Sequence, residues 1–175
     1  DHRDLHSFPT RFASDWPGTG RYGSEVAGKV IGALDGQLIT NAVNATLPVA
    51  GGQIQNSIPE DILKLAVVNR YRKAPPAVAF IHGFGLRHGA IASSVAHDSH
   101  NVIAVGADDE SLAAAVNAVM AKQGGISVIS GEKTQVLPLP VAGLMSNLDG
   151  YTIATQYSAL DQSAKALGSP LAAPF

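Results

Sequence analysis

Residues 97–101 read His-Asp-Ser-His-Asn, five consecutive polar side chains inside the otherwise apolar run ASSVAHDSHNVIAVG (92–106). Two imidazoles, a carboxylate, a hydroxyl and an amide bring together groups used in acid–base, nucleophilic and metal chemistry. Spacing narrows the choice. On an extended chain successive side chains point to opposite sides, so Asp98 and His100 share a face while Ser99 points away from both. A serine triad needs its nucleophile beside the imidazole, and no Gly-x-Ser-x-Gly elbow occurs in the chain. His97 and His100 would share a face only on a helix, whereas their flanks are strand-like. Catalytic zinc takes three protein ligands, and the other histidines (His2, His6, His82, His88) are scattered, with no His-x-His or His-Glu-x-x-His pair. An independent metal centre therefore lacks an evident ligand set. The plain alternative is a tight polar turn between two strands, which accounts for Asp98, Ser99 and Asn101 through local backbone bonding. Turn chemistry does not ask for two histidines.

The elements that must position this cluster are legible in outline. Residues 9–23 carry prolines and glycines without periodicity and read as a loop, so 1–24 is expected to be a linker and 25–175 the folded domain. Residues 25–54 hold short β-branched runs broken by Asp35-Gly36 and Gly51-Gly52, the pattern of two or three antiparallel strands. SIPEDILKLAVVNRYRK (57–73) has Ile62, Leu65, Ala66, Val68 and Asn69 at helical spacing. Ser57 stands as its cap and Arg70, Arg72 and Lys73 lie in its last turn, so a helix is expected there. APPAVAFIHGF opens a strand, and the Gly-bounded GLRHG is a turn. Its GFGLRHG frame (83–89) misses the dinucleotide fingerprint by one residue. Strand material continues on both sides of the polar cluster. DDESLAAAVNAVMAKQGG (108–125) reads as a capped helix, 126–143 as a hairpin turning near Gly131, and SALDQSAKALG as a short helix. The order helix–hairpin, helix–hairpin and the repeated LPVAG (47–51, 139–143) hint at a duplication. Hairpins covered by helices make an α+β domain.

With 175 residues, 46% hydrophobic and 15% charged, the chain can bury the core of one domain. A formal net charge of -2 leaves no basic stripe for a phosphate backbone, so no nucleic-acid partner is expected. No apolar run approaches the roughly 18–20 residues of a membrane span. Without cysteine there is no disulfide or thiolate site, and a cytoplasmic location is expected. The chain opens on DHRDLHSF without methionine and closes on GSPLAAPF, and both ends read as positions within a longer polypeptide.

Five blocks, PEDILKLAVVNRY (59–71), GFGLRHGAIASSVAHDSHNVIAVG (83–106), AAVNAVM (114–120), GGI (124–126) and LPLPVAGLMS (137–146), closely resemble the C-terminal domain of bacterial adenine deaminases. The resemblance covers roughly residues 25 to 146, in the family's order and spacing. It implies an accessory domain following an amidohydrolase (β/α) barrel that carries divalent metal (manganese, iron or zinc). The parent reaction is hydrolysis of adenine to hypoxanthine and ammonia in purine salvage. A metal-activated hydroxide would attack C6, N1 would take a proton and ammonia would leave. The metals and catalytic carboxylate belong to the barrel, so this chain is expected to bind no metal and to be inactive alone. Its expected partners are the barrel of the same polypeptide, the purine substrate and a second copy in a homo-oligomer.

What remains to be supplied is a pocket wall that excludes water and hydrogen-bonds the purine edge. His97, Asp98, Ser99, His100 and Asn101 are the candidates, with Asp98 and His100 the expected contacts or orienting pair. His82, His88, Met145 and Ser146 are secondary candidates. The contrasting reading is a packing or dimerisation module with no part in chemistry.

Overall fold

The computed structural model describes residues 24–37, 39–97 and 99–175. In chain order these form β1 (Glu25–Gly32), β2 (Asn41–Ala50), β3 (Gln53–Ile54), β4 (Ile62–Val68), β5 (Ala77–His82), β6 (Ala90–Ser93), β7 (Val102–Gly106), α1 (Asp109–Ala121), β8 (Gly125–Ser130), β9 (Lys133–Pro138) and α2 (Gly150–Ala166). The strands make one sheet in the order β3-β2-β1-β5-β4-β7-β6-β8-β9. Neighbours are antiparallel except β1 and β5, which run parallel with Ile31 opposite Ile81. The α+β class expected from the sequence is the one observed, and the described residues contain no (β/α) barrel. Residues 1–23, most of the expected linker, lie outside the described residues.

The strand period of two sorts side chains onto the two faces. On one face Leu63, Ile91, Val105, Ile126 and Val128 pack with Leu160 and Ala164 of α2 and with Leu167 at its C-cap. On the other, Ala66, Val68, Ala90, Ala92, Val102 and Ala104 meet Leu112, Ala115, Val116 and Val119 of α1. The small alanines of β6 and β7 let α1 lie close, and Ser127 Oγ donates to Ala115 O at 2.9 Å. A third cluster, Val30, Leu47, Ile62 and Phe80, seals the β1–β2 end of the sheet. Asp108 caps α1 by accepting from Ser111 N at 2.7 Å, and the glycines after Gln123 end it as expected.

The helix expected over 57–73 is instead β4. Ser57 and Ile62 exchange both backbone bonds at 2.9 Å, with Asp61 at φ 52, so the supposed cap is a tight turn into a strand. ILKLAVV is apolar on both sides because β4 is central, between β5 and β7, with packed clusters on either face. Such a run lacks clean alternation and mimics helical spacing. The proposed helix–hairpin duplication loses its first helix. The two LPVAG segments also differ: the first runs as β2 into a turn, the second as the loop after β9. The last helix is longer than SALDQSAKALG, since it starts at Gly150.

Candidate functional site

β4, β6 and β9 end, and β7 and β8 begin, at one end of the sheet. Three loops converge there: 69–76, 94–101 and 139–149. The polar cluster forms the middle one, a turn in which His100 N donates to Ala96 O at 2.8 Å and Ser99 N donates to His97 O at 2.8 Å. Asn101 N donates to Ser99 Oγ at 3.4 Å. His100 sits in the left-handed region, φ 48, which costs a non-glycine residue about 1 kcal/mol and needs support from its surroundings. Asp98 lies outside the described residues.

Arg70, just beyond β4, supplies that support. Its Nε donates to His100 O at 2.6 Å and its Nη2 donates to Ala142 O, joining the central turn to the 139–149 loop. The guanidinium stacks 4.9 Å from the Tyr71 ring centroid, and the Tyr71 hydroxyl lies 3.4 Å from His100 O. Ala142 and Gly143 both have positive φ, and a Cβ on Gly143 would collide with the guanidinium. Ser94, fully buried, accepts from Gly125 N at 2.8 Å and donates through Oγ to Gly143 O. Consecutive carbonyls of one loop are therefore held by Arg70 and by Ser94. Met145 and Ser146 follow directly: Val141 and Met145 exchange backbone bonds, and Ser146 Oγ accepts from Leu148 N at 3.1 Å. Asp149 then caps α2. Its carboxylate accepts from the Thr152 hydroxyl and from Thr152 N, and those bonds hold its pKa below the usual carboxylate value.

The structure brings His97, Ser99, His100 and Asn101 to the same sheet end as Met145 and Ser146. It does not bring His82 or His88 there. His82 ends β5 opposite Ile62, at the start of β4, and His88 precedes β6. The seven residues of β4 separate the two ends by about 20 Å. Among the described residues no three His, Cys, Asp or Glu side chains group to hold a metal.

A groove of about 260 Å³ runs from this turn along the α2 face of the sheet, lined by Ile91, Ile103, Val105, Phe84 and Phe175, with His97 among its few polar residues. Phe175 meets Tyr157 of α2 edge-on, with ring centroids 6.1 Å apart. Two polar atoms of the turn, His100 Nδ1 and Asn101 Oδ1, are buried and find no hydrogen-bond partner among the described residues. Of the seven exposed large apolar side chains among the described residues, six (Tyr71, Val95, Val141, Met145, Leu148, Tyr151) come from these three loops or the first turn of α2. Exposed apolar side chains and buried, unpaired polar atoms therefore gather at one end of the sheet. Sequence reasoning missed Arg70, Tyr71 and Ser94. Arg70 was read as the basic end of a helix, and its available signal was an Asn-Arg-Tyr step directly after an apolar run.

Residues 37–175 match the family described as Adenine deaminase C-terminal domain. The adenine deaminase of Salinibacter ruber is 54% identical over 149 residues, 84% of this chain and 27% of the relative. That of Methanothermobacter thermautotrophicus is 47% identical over 153 residues, 87% of this chain and 28% of the relative. The Borreliella burgdorferi protein of the same name is 42% identical over 148 residues, covering 83% and 27%. The chain spans little more than a quarter of the length of these curated relatives.

Proposed function

Since the chain belongs to the adenine deaminase C-terminal domain family, we propose that it completes the substrate pocket of a longer adenine deaminase polypeptide. That polypeptide hydrolyses adenine to hypoxanthine and ammonia, and its reactive metal (manganese, iron or zinc) and acid–base carboxylate reside in a preceding barrel. The chain alone does not deaminate adenine. The whole enzyme works as a cytoplasmic homo-oligomer in purine salvage.

In this reading the His97–Asn101 turn faces the barrel mouth, where loops of such barrels carry the chemistry. The observation that carries it is the pair of orphaned atoms, His100 Nδ1 and Asn101 Oδ1, at the sheet end that also gathers six exposed apolar side chains. A buried polar atom without a partner is costly, by about 1–3 kcal/mol, unless a ligand or partner satisfies it. The edge of a purine offers both ring-nitrogen acceptors and an N–H donor, which suits an imidazole and an amide. The exposed apolar side chains then exclude water from the closed pocket. Asp98 remains a candidate contact on the strength of its neighbours.

Adenine turnover by the longer polypeptide carrying His100→Ala or Asp98→Ala tests this. A lost hydrogen bond to substrate should lower kcat/KM about tenfold or more in each. If both variants stay within twofold of the parent, this sheet end is only an interdomain seam, the second reading that the exposed apolar side chains support.

A further inference from the structure

We infer that Arg70 is the positioning residue of this pocket, holding the His97–Asn101 turn and the Met145–Ser146 loop in one fixed relation. This rests on the pocket role proposed above for the turn. Arg70 bonds both segments: its Nε donates to His100 O at 2.6 Å and its Nη2 donates to Ala142 O. The two acceptors are backbone carbonyls, so the link fixes where each loop runs and leaves His100 Nδ1 and Asn101 Oδ1 available for other work. A planar fork suits the task, because two donors of fixed direction reach two loops at once. A lysine ammonium offers one point and no fixed direction.

The neighbourhood is shaped for this guanidinium. Gly143 has φ 74 and no space for a Cβ on the side where Arg70 lies. Tyr71 stacks on the guanidinium and brings its hydroxyl to the same His100 carbonyl. Asn69 Oδ1 accepts from Tyr71 N at 2.9 Å and Arg72 N at 3.0 Å, fixing the bend that points the chain at Arg70 out of β4. The left-handed His100 then has its carbonyl held from outside the turn. Without that hold the imidazole loses its orientation rather than its chemistry.

The test is a double-mutant cycle on adenine kcat/KM in the longer polypeptide, using R70M, R70K and H100A. R70M should lower kcat/KM about tenfold, R70K should recover part of the loss, and R70M should add less than about twofold to H100A, since both act through one imidazole. Independent, multiplying effects of R70M and H100A would overturn the inference. So would an R70M enzyme within twofold of the parent while H100A is impaired, an outcome that leaves the pocket role standing. If H100A and D98A are themselves silent, the pocket role and this inference fall together. Should R70M not fold, R70K is read in its place: a smaller loss, again non-additive with H100A, supports positioning, and a multiplying one overturns it.

Discussion

Ser94 shows how much a single buried hydroxyl holds in this molecule. It accepts from Gly125 N and donates to Gly143 O, tying the start of β8 to the loop that carries Met145. Ser94→Ala leaves both backbone groups buried and unpaired, and should lower unfolding stability by about 1–3 kcal/mol in urea titration. A loss below about 0.5 kcal/mol would mean that water replaces the hydroxyl. The five polar residues of the turn stood out from sequence as chemistry-bearing types in an apolar run. Ser94 and Arg70 did not, because their importance comes from partners 31 and 72 positions away along the chain. Spacing rules see only neighbours.

At the scale of elements, α2 begins where the candidate site ends, and its cap titrates. Thr152, through its hydroxyl and backbone N–H, holds the Asp149 carboxyl below the usual carboxylate pKa. A lowered folded-state pKa contributes stability that is present above the unfolded value and lost as pH falls through the folded one. The difference in Tm between the parent and Asp149→Ala should therefore be constant from pH 5 to 7 and shrink below about pH 3.8. A difference that persists unchanged at pH 2.5 would show that the cap acts without its charge. Helix α1 was legible from its Asp108 cap and closing glycines, which are local signals. β4 was not, because a central strand is apolar on both faces and its turn residues, Ser57 to Asp61, imitate a helix cap.

The whole molecule is asymmetric. One sheet end is closed by tight glycine turns and carries His82 and His88. The other gathers the polar turn, the Arg70 link and six exposed apolar side chains. Those side chains lie outside the three packed clusters, so their removal should leave the fold intact. Met145→Gln, Leu148→Gln and Tyr151→Gln together should shift the Tm of the 175-residue chain by no more than a few degrees, as surface changes do. A large fall in Tm would place them in the core instead.

Residue types alone were enough to mark the α+β class, the strands either side of the polar cluster and helix α1, and to single out the cluster by its chemistry-bearing side chains. Each of those is written in local periodicity, in turn residues or in a run of unusual side chains. Which end of the sheet every loop reaches, that His82 and His88 stand about 20 Å from the turn, and that a strand replaces the expected helix at 62–68 depended on strand order. Hydrogen bonding between strands distant in sequence sets that order, and so it emerges only when the whole sheet is assembled.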